Sequence, residues 1–293
     1  MNKKYTPIQI TRSVQRRTAK LLNLHPSSYP YISGDTFRAY ADHIHSNDKP
    51  LQTTAVRKND VVFVDSANAV SYFKYFHPRI TNPYILITHN ATLNTDESFV
   101  QYIDDKIIHW FAKNGLFEHP KFTPLPLGLE NKSYYGSGIP TDFKRFRRKM
   151  VSKKNRILYK FNTSTNTEER EPVLQTLQSH PFADTHQDWL APNAYLKRLQ
   201  TYAFVCSPPG KGEDCHRTWE AMYLGVIPIV KKTPLTVSFE KTGLPMVLLD
   251  SWDELQYFDT LTLQTIQSSF SQKKECPALW MDYWQELITS KKM

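Results

Sequence analysis

Four short runs, apolar almost throughout, most constrain what this chain can fold into: VVFV (61–64), YILIT (84–88), YAFVCS (202–207) and VIPIV (226–230). None alternates apolar with polar residues, so none reads as a strand with one wet face. Strands buried on both faces belong to parallel sheets covered by helices. The intervening stretches agree. Residues 36–46 read as a helix after the turn Ser33-Gly34-Asp35, 67–77 as another stopped by Pro78, and 96–113 as a helical stretch with a short strand at 106–110. FTPLPL (122–127) is extended and ends at Gly128. The alternation resumes with the strand RILYKF (156–161), helices over 167–179 and 192–201, strand 202–207, and a helix over 215–224 capped by Gly225. Strands 226–230 and 247–249 and helices over 252–270 and 278–290 complete it. Two doubly wound α/β halves are the simplest architecture.

Length agrees with two domains, since 293 residues exceed what one domain usually takes. Residues 131–156 show no clear apolar periodicity and carry Gly136, Gly138 and Pro140, which reads as the connection between halves. The expected partition is a basic segment 1–29, a first domain 30–140, a basic linker 141–155, a second domain 156–275 and a C-terminal helix 276–293.

The charge is clustered. Of a net +9, residues 1–20 supply six cations and residues 144–156 eight more, neither with an acid, so the remainder sums to −5. A nucleic-acid binder spreads its cations over a face, so no nucleic-acid partner is expected. Residues 8–24 read as a surface helix with a basic side, and a weak peripheral contact with an anionic membrane is its other reading. No apolar run reaches the roughly 18–20 residues that cross a bilayer. No leader pattern precedes the first domain, and Cys206, Cys215 and Cys276 are too few for a disulfide framework. A cytoplasmic protein is expected.

The segment YAFVCSPPGKGEDCHRTWEAMYLGVIPIV (202–230) carries the chemistry. A buried strand runs into a glycine loop, with Asp214 as the expected N-cap of the next helix. Three of only nine glycines, Gly210, Gly212 and Gly225, lie here. His216, Arg217 and Glu220 share one face of the helix start, because residues three and four apart are neighbours. Free N–H groups and the helix dipole favour phosphate at that end. An arginine grips phosphate oxygens in a fork, and a carboxylate accepts both hydroxyls of a ribose diol. An ordinary βαβ unit with a surface Arg–Glu pair is the alternative.

The pattern F-x-C-S-P-x-G-x-G-x-D-x-x-R-x-W-E-A-x-x-x-G-x-I-P-I-V resembles the nucleotide-sugar segment of exostosin-like glycosyltransferases, glycosyltransferase family 47, within the GT-B superfamily. YISGDTFRAYADHI (31–44), PYILITHN (83–90), HWFAKN (109–114) and PLPLGLEN (124–131) resemble the first domain of bacterial and viral members. The resemblance spans roughly residues 30–250. It implies a GT-B α/β fold, two Rossmann-like doubly wound parallel-sheet domains facing a central cleft. It also implies an inverting transfer from a UDP-sugar, with xylose the first guess, to a hydroxyl of a glycan acceptor. Glu220 would hold the ribose. Arg217 would meet the diphosphate, helped by Asn162, Thr163 and Ser164, by Arg170, and by Gly210, Lys211 and His216. No Asp-x-Asp pair occurs, so neither a metal nor a prosthetic group is expected. Inversion requires a base from the first domain, for which Asp35, His89 and Asp65 are the candidates, taken in that order. Each has a plain reading: an N-cap, a hydrogen-bonded core histidine and a turn former.

Weaker features add little. His43 and His45 are two metal-type ligands without a third. Trp110, Trp189 and Trp219 can stack on a sugar or base but read first as core. No P-loop, nucleophile elbow or dinucleotide fingerprint is present. Two rival readings stay open: a fucosyltransferase-like enzyme using GDP-fucose, and a non-catalytic binding module for nucleic acid or anionic surfaces.

Overall fold

The computed structural model of the chain describes residues 7–149, 151–186, 188, 190–271 and 276–293. Trp189 lies outside the described residues. Ten strands form two parallel five-stranded sheets. The first holds β1 (His43–His45), β2 (Val61–Asp65), β3 (Tyr84–His89), β4 (Ile107–Lys113) and β5 (Phe122–Leu125), side by side in chain order. The second holds β6 (Lys154–Leu158), β7 (Ala183–Asp184), β8 (Tyr202–Cys206), β9 (Ile227–Lys231) and β10 (Val247–Leu249), in the order β10-β9-β8-β6-β7. The helices are α1 (Pro7–Leu21), α2 (Gly34–Tyr40), α3 (Ala69–Tyr75), α4 (Pro140–Arg147), α5 (Thr167–Ser179), α6 (Pro192–Leu199), α7 (His216–Tyr223), α8 (Pro234–Lys241), α9 (Thr260–Ser271) and α10 (Met281–Thr289). Two Rossmann-like parallel-sheet domains thus face a cleft, the arrangement that the sequence led us to expect.

The sheets are covered differently. Right-handed crossovers in a sheet of sequential order all fall on one face. Accordingly Val62, Val64, Leu86 and Trp110 of the first sheet meet Tyr72 and Phe73 of α3. The other face carries Val61, Phe63, Ile85, Ile87 and Phe111, which share a core with Phe37 of α2 and with Met281, Trp284 and Ile288 of α10. The end of the chain therefore completes the first domain instead of standing apart as its own segment. Tyr40 and Thr289 join hydroxyls at 2.8 Å, and the Met293 N–H donates to Asn59 Oδ1 at 2.9 Å. The second sheet is doubly wound. Ile157, Phe204 and Ile229 face α5 and α9 on one side, while Leu158, Val205 and Val230 face α6, α7 and α8 on the other.

Three sequence expectations change. The helix expected over 36–46 ends at Tyr40, because the Asp42 carboxylate accepts the Val61 N–H at 2.8 Å and draws the chain alongside β2 as β1. The stretch 96–113 is a single 3-10 turn, Glu97–Tyr102, capped by Asp96, followed by the full strand β4. The stretch read as linker contains α4, whose Phe143 and Phe146 are buried beside α6 and α7. Ile139, Phe143 and Phe146 already have helical spacing, which the basic run around them masks.

Gly128 lets the loop after β5 pack against the segment that leads into α2. It follows β5 with φ +70°, and a β-carbon there would lie 2.2 Å from the Ile32 carbonyl oxygen. That carbonyl is fixed, since it accepts the Leu129 N–H at 2.8 Å. We expect Gly128→Ala to destabilise the fold by about 3 kcal/mol or more, combining left-handed strain with a backbone clash. A urea midpoint unchanged from wild type would contradict this.

Candidate functional site

In an open α/β sheet, ligands bind beyond the carboxyl ends of the strands where the order reverses. The first sheet has no reversal. The second reverses between β6 and β8, and a cavity of about 510 Å³ opens there. Lys160, just after β6, and the loop after β8 that contains Lys211 both line it. Lys113, at the end of β4 in the first domain, closes the opposite wall. Among the described residues, five cationic side chains (Lys113, Lys160, Arg170, Lys211, Arg217) face two carboxyls (Asp214, Glu220) in this lining. The cavity therefore favours an anion.

Arg217 and Glu220 are placed as expected, one helical turn apart on α7 and both lining the cavity. Arg217 Nη1 is buried and has no hydrogen-bond partner among the described residues. The guanidinium lies over the Phe161 ring, 5.8 Å from its centroid. A buried donor left unmet costs about 1–3 kcal/mol, so an acceptor supplied by a ligand recovers that penalty. Glu220 is 7% exposed. Burial pushes its carboxyl up to about 7, with Arg217 opposing and Glu130 reinforcing the shift.

Asp214 departs from its expected role. The N-cap of α7 is Cys215. Asp214 instead accepts the Leu127 N–H across the cleft at 2.8 Å, the Trp219 indole N–H at 2.7 Å and the Cys215 N–H at 2.7 Å. Burial raises its carboxyl to about 6. Trp219 is thereby fixed in the core against Phe239, and Trp110 donates to Thr88 at 3.0 Å within its own core. Neither is a stacking platform for a sugar.

Arg170 also departs from expectation. It lines the cavity, but its guanidinium donates to the carbonyls of Asn162, Pro208 and Pro209 and to Thr165 Oγ1. It ties the turn after β6 to the loop after β8. Gly210 follows from this, because a β-carbon there would sit 2.8 Å from Arg170 Nη2. Asn162, Thr163 and Ser164 do not line the cavity; Asn162 Oδ1 caps its own turn through the Ser164 N–H and hydroxyl.

A smaller cavity of about 180 Å³ adjoins the first on the side of the first domain, and Asn90, Leu127 and His216 line both. His216 Nδ1 lies 2.8 Å from the Gly128 carbonyl. A carbonyl only accepts, so Nδ1 carries the proton and Nε2 keeps the lone pair. Burial holds the imidazole below its usual pKa, and the nearby Glu130 partly opposes this.

The three candidate bases fare differently. Asp35 is fully buried and receives His25 Nδ1 at 3.1 Å and the Ser133 hydroxyl at 3.4 Å; it lines neither cavity. It is not the N-cap of α2, a place held by Ser33. Asp65 is held by Asn90 Nδ2 at 3.2 Å and Arg38 Nη1 at 3.7 Å, also outside both linings. Burial raises both carboxyls. His89 lines the smaller cavity, but Nε2 donates to the Pro126 carbonyl at 3.0 Å and Nδ1 accepts the Asn90 N–H at 2.8 Å. With both nitrogens taken and its pKa lowered to about 3, it is a structural residue. His43 pairs with Asp60 and His45 accepts the Leu51 N–H, so the two histidines serve separate contacts.

Sequence reasoning gave no role to Lys113, Lys160, Asn90 or Glu130. Each ends or follows a strand, the one signal that marks it. Burial lowers the Lys113 ammonium to about 8.

No protein-family model and no curated protein sequence matches the chain. Among solved structures it is similar to UDP-GlcNAc 2-epimerase from Methanocaldococcus jannaschii, at 12% identity and a TM-score of 0.32, covering 78% of this chain and 77% of that one.

Proposed function

We propose that the chain is a GT-B glycosyltransferase that moves a sugar from a nucleoside diphosphate donor to an acceptor hydroxyl with inversion. The observation that carries this reading is Arg217 Nη1, buried and unmet among the described residues, beside Glu220 in a cationic cavity at the strand-order reversal. The donor diphosphate occupies the larger cavity against Arg217, Lys211 and Lys160. Glu220 accepts the ribose hydroxyls. The acceptor occupies the smaller cavity, where His216 faces both substrates.

In this mechanism His216 Nε2 takes the proton of the acceptor hydroxyl. The oxygen attacks the anomeric carbon opposite the leaving group, and the bond to the diphosphate breaks with its electron pair passing to the phosphate. Cations fixed in place before reaction stabilise that charge as it forms. Glu130, which lines the smaller cavity with His216, supplies the negative charge that favours the transient imidazolium.

Titration with UDP and GDP, with and without EDTA, tests the donor site. A UDP-selective stabilisation that survives EDTA is expected. A GDP-selective one would move the assignment to a GDP-sugar, and none with either nucleotide would overturn the reading. His216→Ala is expected to cut turnover by about 10²–10⁴-fold. Its UDP affinity is expected to stay within about threefold of wild type, because the loss falls on the transition state. Equal losses in turnover and UDP affinity would instead make His216 a donor contact.

A further inference from the structure

We infer that α1 forms a docking surface for an anionic lipid bilayer. At 3.6 residues per turn, Ile10, Val14, Arg17 and Leu21 fall within a sector of about 60° on α1, opposite Ala19 and Arg12. Ala19 is the only buried one among the described side chains of α1, whereas Ile10, Val14 and Leu21 are 55%, 58% and 84% exposed. The apolar stripe thus points away from the protein, and Leu22 and Leu24, just past the end of the helix, are exposed as well. A 15-residue helix with so little packing is marginal by itself in water, so the stripe calls for a partner.

The charge identifies that partner. Arg12 meets Asp142 of α4 at 2.6 Å, which seats α1 by the side opposite its stripe. Arg17 within the stripe and Arg16 and Lys20 along one flank of it are exposed. A second copy of this surface would set like charges against each other across a two-fold axis. Anionic headgroups complement them, while the stripe sinks to the level of the first acyl carbons. No described helix is long and apolar enough to cross a membrane, so the contact is peripheral. Helix α1 also packs on Lys132–Tyr134, and Tyr134 lines the smaller cavity. If the proposed reaction holds, docking brings the acceptor cavity to the bilayer surface.

Co-sedimentation of the full chain with phosphatidylcholine vesicles, with and without about one-third phosphatidylserine, tests the surface. Binding is expected only to the anionic vesicles and is expected to weaken as salt rises. Val14→Gln with Leu21→Gln, and separately Arg16→Gln with Lys20→Gln, are each expected to lower it about tenfold or more. UDP titration of the same variants is a separate readout, so failure of the docking surface and failure of the donor site are distinguishable. Equal binding to neutral vesicles, or none to either, would overturn the inference. So would a dimer in light scattering that Val14→Gln with Leu21→Gln dissolves, since the stripe would then belong to a second copy.

Discussion

Arg217→Met is expected to abolish measurable nucleoside diphosphate binding while leaving the unliganded fold intact. The physical reason is an asymmetry between the two states. Among the described residues Arg217 Nη1 is buried without an acceptor, so methionine removes an unmet donor and keeps most of the packing against Phe161, at the loss of the hydrogen bond to Tyr195. In the liganded protein the same substitution removes a charge-assisted fork and leaves phosphate oxygens facing an apolar stem. Truncating one partner of a buried charged pair typically costs 2–5 kcal/mol, a rise in Kd of roughly 30- to 5,000-fold. Arg217→Lys is expected to recover little, because a point charge does not reproduce the guanidinium fork. Calorimetric titration with UDP checks affinity, and thermal unfolding without ligand checks the fold. Unchanged UDP affinity would remove Arg217 from the donor site. A large fall in unliganded stability would instead make it a structural arginine like Arg170.

That contrast between Arg217 and Arg170 marks how far the sequence was legible. Unbroken apolar runs marked the central strands β2, β3, β8 and β9, which are buried on two faces, whereas the edge strands β1 (HIH) and β7 (AD) carry no such run. Gly225 at φ +65° ends α7 as a glycine in that place should. The positions of Arg217 and Glu220 were legible because helical spacing and the strand-to-loop junction fix them locally. What needed the fold was everything set by distant segments. Arg170 lies near Arg217 yet spends its donors on three backbone carbonyls. Asp214 has the look of a cap but reaches Leu127 of the other domain. Asp35 opens a helix after a glycine turn, yet it points inward to His25. The tautomer of His216 depends on Gly128, 88 residues away. The sequential order of the first sheet, and its need for α10 as a cover, leave no local trace at all.

The second large effect concerns Glu220, where binding and stability are expected to move in opposite directions. Its carboxyl titrates at about 7 in the folded chain against an ordinary value of 4.5. Between those values the folded state holds a proton that the unfolded state has lost, so stability falls as pH rises through that window. At 1.36 kcal/mol per pH unit, the full difference is about 3 kcal/mol above pH 7. Glu220→Gln removes this titration while keeping shape and polarity. The variant is expected to match wild type near pH 4.5 and to exceed it by roughly 2–3 kcal/mol at pH 8, a midpoint several degrees higher. Asp214, raised to about 6, retains its own pH dependence in both proteins, so the comparison isolates Glu220. Denaturant unfolding at the two pH values reads the difference directly. Parallel stability–pH curves for the two proteins would show that the carboxyl is not held up by burial. The same glutamine donates where the ribose hydroxyls need an acceptor, so UDP affinity is expected to fall about 10-fold or more. Carboxyls whose charged form is disfavoured by their surroundings cluster at functional sites, and under the proposed function the ribose diol of the donor is the group that Glu220 holds beside Arg217.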